Sequence, residues 1–321
     1  MRQRWLRLLG VALVLGSCSA QSASVAPPDD GAALGGTGHG GTADFGVPDA
    51  GIHDHSTHGA GPTGQPDAPI RGTQGRVAQF LVECPFSHVL DDDPIVYPDQ
   101  PGASHTHVFF GNETANAATT YATLVAGSTE CDQQLDRASY WAPALFDEET
   151  LMTPDKVVAY YRAGVGVDPL SVRPYPQGLK IIAGNASAQA AQSNAVVAWT
   201  CGVSIERLVT PPTCSEARPL RMLITFPDCW NGTQVDAPDH FSHMAYSSHG
   251  ACPADRPTAV PQLQLSIVYG FSGDPSKLSL ASGSILTGHA DFFNGWDEAK
   301  LASEIAVCLH RQVVCGITSA R

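Results

Sequence analysis

Gln262-Leu263-Gln264-Leu265-Ser266-Ile267-Val268-Tyr269 puts Leu263, Leu265, Ile267 and Tyr269 on one side of an extended chain and Gln262, Gln264 and Ser266 on the other. Successive strand side chains point to opposite faces, so a period of two is the imprint of one buried sheet face. Leu220, Met222, Ile224 and Phe226 repeat it. Ala78–Cys84, His105–Phe110, Val157–Arg162, Leu179–Ala183, Val196–Cys201 and Leu220–Phe226 also have strand character. Pro/Gly clusters such as Tyr97-Pro98-Asp99-Gln100-Pro101-Gly102 separate the runs and favour turns. The pattern predicts a mainly β domain, an antiparallel β-sandwich of jelly-roll type. One amphipathic helix is expected over Asp297–Arg311, where Leu301, Ile305 and Cys308/Leu309 form one apolar stripe. It would pack on the outside of the sheets.

Composition narrows the function. The 321 residues carry 18 Lys+Arg against 31 Asp+Glu, a net charge of −13, which argues against a nucleic-acid partner held by electrostatics. With 31 Gly and 24 Pro the chain is rich in loops, and long helical bundles are excluded. Of the nine cysteines, Cys84, Cys131, Cys201, Cys214, Cys229, Cys252, Cys308 and Cys315 lie in the body. In an exported chain an even set implies four disulfides. Order alone does not choose the connectivity; pairing of neighbours is preferred, as Cys84–Cys131, Cys201–Cys214, Cys229–Cys252 and Cys308–Cys315.

Residues 1–17 read as a signal peptide: Arg2, Arg4 and Arg7 precede an apolar run, Leu8–Leu15, too short to span a bilayer. Leu15-Gly16-Ser17-Cys18 resembles a bacterial lipoprotein box, in which Cys18 would carry the lipid. Gly at the second position is less usual there, and an ordinary secretory signal cleaved nearby is the alternative. Removing the signal takes away three Arg and no acid, which lowers the net charge to −16. Residues 18–76 are Gly, Ala, Pro, Asp, Ser and His with few large hydrophobes, and read as a lipid-anchored disordered spacer. Its His53-Asp54-His55-Ser56-Thr57-His58 patch reads as solvated linker. Residues 77–321 are expected to form one β-sandwich domain, a monomer touching membrane only through a lipid at Cys18, at the cell surface or in the medium.

The body's histidines cluster. His105 and His107 lie two residues apart, so on a strand they share a face. Asp239-His240-Phe241-Ser242-His243-Met244 adds two more, and His289 precedes Asp291 by the same step. Imidazole suits Zn, Cu or Ni, and a carboxylate can complete or orient the set. His105, His107, His243 and His289 are therefore candidate ligands for one divalent transition metal. The same groups would serve proton transfer, which makes His105, His107, His240, His243, His289 and Asp291 candidate catalytic residues. His88, His249 and His310 read as packing.

Trp141 and Trp296 sit among polar neighbours, the setting in which ring faces cover sugar C–H groups while side chains take hydroxyls. With Asn112, Tyr161, Arg162 and Asn294 they are candidate substrate-binding residues. Arg162 could neutralise the carboxylate of an acidic sugar, or pair with one of the protein's own acids. Trp230, next to Cys229, reads as core packing.

Several blocks, in order, resemble one family. They are Asp93-Pro94-Ile95-Val96, Pro101-Gly102-Ala103-Ser104-His105-Thr106-His107-Val108-Phe109-Phe110-Gly111-Asn112, Tyr140-Trp141-Ala142-Pro143, Pro176-Gln177-Gly178-Leu179-Lys180, Phe226-Pro227-Asp228-Cys229-Trp230-Asn231-Gly232, Asp239–Met244 and His289–Trp296. Together they resemble the exported domain-of-unknown-function family nineteen ninety-six over roughly residues 78–310. The resemblance implies export and, through association with wall-directed proteins, a glycan target. It also groups His105, His107, His240, His243, His289 and Asp291 as one site. Thr106 stands where many members carry an aliphatic residue. The expected function is an extracellular glycan-active enzyme cleaving a polysaccharide by hydrolysis or β-elimination. The alternatives are a non-catalytic module holding a cell-wall glycan or a metal, and a structural surface protein.

Overall fold

The computed structural model describes residues 77–316; the signal, Cys18 and the spacer lie outside the described residues. Ten strands form one long folded sheet: β1 (Gln79–Leu90), β2 (His107–Gly111), β3 (Ser139–Pro143), β4 (Lys156–Arg162), β5 (Lys180–Gly184), β6 (Val197–Cys201), β7 (Leu220–Thr225), β8 (Gln262–Tyr269), β9 (His289–Phe293) and β10 (Val314–Gly316). Their order is β5-β9-β3-β2-β1-β4-β8-β7-β6, with β10 alongside β1 in parallel and every other pair antiparallel.

β1 joins the two halves. Its first part pairs with β4, from Gln79↔Arg162 to Pro85↔Lys156. Past Pro85 the register shifts between Phe86 and His88, and the strand continues against β2, ending with Leu90↔His107. A bulge bends a strand and turns it from one sheet into the next. The far edges approach each other as well: a Cβ on Gly288, just before β9, would meet Val197 Cγ1 of β6 at 2.6 Å. The sheet is thus nearly closed, and the expected antiparallel sandwich is present.

The alternating residues of β7 and β8 behave as their period requires: Leu220, Met222, Ile224, Leu263, Leu265, Ile267 and Tyr269 fill the space between the halves. A second, smaller cluster of Ile95, Phe109, Ala115, Leu124, Trp141, Ile182 and Phe293 lies on the other face of β2, β3, β5 and β9. The segment between β1 and β3 covers that face, including the short helix α1 (Tyr121–Ala126), which is capped by Thr120. β3 and β9 are consequently buried along their whole length.

The C-terminal helix is present but shorter than expected. Asp297 caps α2 (Glu298–Glu304), which continues as a π-helical turn, Ile305–Leu309. Leu301, Ile305, Cys308 and Leu309 join the main core. The four disulfides join sequence neighbours: Cys84–Cys131, Cys201–Cys214, Cys229–Cys252 and Cys308–Cys315. Four bridges belong to an oxidising environment. Among the described residues no helix is long and apolar enough to cross a membrane.

Candidate functional site

The histidines gather where β2 and β9 begin, on the face covered by the β1–β2 connection. β3 lies between these strands and sets the rows: His107 is opposite Pro143, and one step along the same face Phe109 is opposite Trp141, which is opposite Asp291. His289 shares the face with Asp291 two residues away. His105 precedes β2, and its ring packs against both others, with centroids 4.3 Å from His107 and 5.0 Å from His289. His107 and His289 are buried and His105 is half-buried.

Backbone carbonyls fix two of the three tautomers. His107 Nδ1 lies 2.9 Å from the Asp92 carbonyl and His289 Nδ1 lies 2.9 Å from that of Thr287. A carbonyl only accepts, so both Nδ1 atoms carry the hydrogen and both Nε2 atoms present lone pairs. His107 Nε2 makes no hydrogen bond, and His289 Nε2 faces His105 Nε2 at 3.1 Å. Ligand atoms of His105, His107 and His289 all lie within 4.8 Å of one another.

Asp93, from the β1–β2 connection, and Asp291 also approach His107, with ligand atoms of the three within 4.8 Å of one another. Asp93 Oδ1 accepts from the amides of Ile95 and Val96, whereas Asp291 Oδ2 is buried without a partner. The electrostatics follow from burial. It holds His107 well below the usual imidazole range, with His105 and His289 adding to the effect, and holds His289 at about 4. Burial also lowers His105, against the pull of Asp91. Asp291 is pushed well up by burial and then by Asp93; Asp93 itself is raised by burial despite its two amide donors. Three neutral imidazoles with two carboxyls beside His107 are groups that could hold a metal ion.

The other candidates lie elsewhere. His243 is buried, but its Nε2 donates to the Lys180 carbonyl at 2.7 Å, which directs it to the β5 backbone rather than to the three-His group. His240 pairs through Nδ1 with Asp236 at 2.9 Å, and Asp236 also meets Lys180 Nζ at 3.4 Å. This trio flanks the centre, since His240 and Lys180 both act on Asp93.

The expected sugar-binding set is corrected by burial. Trp141 is fully buried and stacks on Phe109 at 5.6 Å. Trp296 is 2% exposed and donates through Nε1 to Tyr161 Oη, which meets Tyr140 Oη, which donates to Asp136. Asn112 bonds the carbonyls of Leu124 and Arg137, and Asn294 that of Pro176. These polar side chains satisfy buried backbone groups, so their presence beside tryptophan marks core and not a wet rim. Arg162 is half-buried on the opposite half of the sheet, with Nη2 donating to Gln264 Oε1.

Asp93 is the residue that reading by local spacing does not find. Its signal in the sequence is the acidic run Asp91-Asp92-Asp93, whose first member accepts from Thr106, whose second holds His107 by its carbonyl and whose third enters the centre.

A family model described as a domain of unknown function, DUF1996, matches residues 93–296, which contain every residue of this centre. No curated protein and no solved structure matches the chain.

Proposed function

The chain belongs to the DUF1996 family, whose description assigns no activity, and from the site itself we propose an exported, metal-dependent enzyme that cleaves a polysaccharide. One observation carries the proposal: ring nitrogens of His105, His107 and His289 converge, and backbone carbonyls fix the tautomers of His107 and His289. Nitrogen-only sets of this kind suit Zn, Cu or Ni, and hydrogen bonding of the second ring nitrogen is the usual support of a metal-bound imidazole. Three protein ligands leave a position for water or substrate. A metal there would polarise a bound oxygen, and Asp291, with its unpartnered Oδ2, stands beside it. What supports a glycan as substrate is the export-type leader and the four bridges, which point to work outside the cytoplasm.

The test incubates metal-loaded wild type, chelated wild type and His107→Ala with neutral and acidic polysaccharides, following new reducing ends and unsaturated products. Cleavage by the loaded wild type alone is expected. Cleavage that survives both chelation and His107→Ala would end the metal-dependent reading. The burial of His107 and His289 favours one second reading, a non-catalytic metal-binding module. Stoichiometric metal uptake without cleavage of any polymer would establish it.

A further inference from the structure

The outward face of β4, β8, β7 and β6 is polar, yet much of it is buried. Ser266 and Thr200 are each 2% exposed and Gln264 is 6% exposed, although all three point away from the main core. The rows run Tyr160–Gln264–Thr225 and Val158–Ser266–Leu223 across the strands. Two arginines enter this face from opposite ends. Arg162 Nη2 donates to Gln264 Oε1 at 2.5 Å, and Arg221 Nη1 donates to Ser266 Oγ at 3.2 Å. Both heads approach Tyr160: the Arg162 guanidinium lies 5.8 Å from its ring centroid, and Arg221 hydrogen-bonds its side chain. Arg207, from the loop closed by Cys201–Cys214, is near enough to act on Arg162 as a like charge.

In a chain with 31 acids and 18 bases, arginines are expected to pair with carboxylates. Among the described residues no ion pair involves Arg162, Arg207 or Arg221. Glu83, the acid that reaches Tyr160, is taken by Lys156 at 2.7 Å. Three polar atoms on the face are buried without partners: Arg162 Nε, Arg221 Nε and Thr200 Oγ1. Like charges brought together while their hydrogen-bonding atoms stay idle cost free energy, a cost that an anion would remove.

We propose that this face binds a polyanionic polysaccharide, with the partly exposed Arg162, Arg207 and Arg221 taking its carboxylate or sulfate groups while Gln264 and Ser266 beneath hold Arg162 and Arg221 in place. The guanidinium fork matches either anion in bidentate fashion. The polymeric sugar rests on the proposed glycan function; the anion does not.

The experiment measures binding, without cleavage, of the full chain to polygalacturonate, dextran sulfate and neutral dextran by titration calorimetry. Wild type is expected to bind at least one polyanion and to bind dextran at least about tenfold more weakly, with affinity falling as salt rises. The tighter polyanion identifies the anion. Arg162→Gln and Arg221→Gln should each lower affinity about tenfold or more, and Arg207→Gln, on its loop, should do so with the melting temperature unchanged. Chelated protein should bind as untreated wild type, so that loss of cleavage and loss of binding remain separate results. Equal affinity for dextran and the polyanions would overturn the proposal. So would full polyanion affinity in Arg207→Gln together with either β-strand variant.

Discussion

His105 Nε2 and His289 Nε2 lie 3.1 Å apart although 184 residues separate them in sequence. Because Thr287 holds the Nδ1 hydrogen of His289, its Nε2 is an acceptor, and His105 must either present a hydrogen to it or share a cation with it. We expect one Zn²⁺ or Cu²⁺ per chain. A free concentration about 100 times the dissociation constant should stabilise the fold by about 2.7 kcal/mol. His289→Ala should abolish the thermal shift, whereas His243→Gln, whose amide can still donate to the Lys180 carbonyl, should keep it. Metal analysis and melting curves decide; a His289→Ala protein that retains one tightly bound ion would defeat the assignment.

Asp136 supplies a pH dependence away from this centre. It is fully buried, and burial raises its carboxyl to about 7 although Tyr140 and the Ala138 amide donate to it. In the unfolded chain it returns to the ordinary value of 3.8. Between about pH 4 and pH 7 the native state therefore keeps a proton that the unfolded state has released, and this group's contribution to stability falls as pH rises through the window. Asp136→Asn keeps an acceptor for Tyr140 and cannot ionise. Urea unfolding should show the variant gaining on wild type as pH rises, by up to a few kcal/mol at neutrality. A stability difference independent of pH would show that Asp136 does not hold the proton.

The fold was legible where one strand face is polar and the other apolar. In β8 the alternation of Leu263, Leu265 and Ile267 with Gln262, Gln264 and Ser266 gave both strand and face. β3 and β9 show no such period because the segment between β1 and β3 covers their second face and every residue in them is buried. The grouping of His105, His107 and His289 with Asp291 followed from two-residue spacing, which carries over from sequence to a sheet face without further information. Asp93 enters by a fold of the chain that no local spacing encodes. His243 and the tryptophans were misleading for one shared reason: a polar neighbour in sequence can be serving a buried carbonyl, as Asn112 and Asn294 do.

Loop length ranks the disulfides. Cys84–Cys131 spans 47 residues and Cys308–Cys315 spans 7, and all four sulfurs are fully buried, so packing losses on replacement are comparable. Chain entropy assigns about 4 kcal/mol to the longer bridge and about 2.5 kcal/mol to the shorter. Replacing each pair by alanines should lower the melting temperature by roughly 10 °C for Cys84/Cys131 and visibly less for Cys308/Cys315. Thiol titration of denatured, unreduced wild type should find none of the eight body cysteines free. A larger loss from the short bridge would mean that local packing at the π-helical turn outweighs loop closure.

Trp141 separates core from binding surface. It stacks on Phe109, which is two residues along β2 from His107, and it is paired in register with Asp291 of β9. Trp141→Ala would open a cavity beneath both strands at a cost of about 3–5 kcal/mol. The same cavity would free His107 and Asp291 from their row, so metal affinity should fall with stability. Trp141→Phe keeps an aromatic ring against Phe109 and should recover most of both. A surface tryptophan that holds sugar would behave in the opposite way, losing glycan binding on either substitution with the melting temperature unchanged. Melting curves and metal titrations of the two variants distinguish these patterns, and normal stability in Trp141→Ala would refute the core placement.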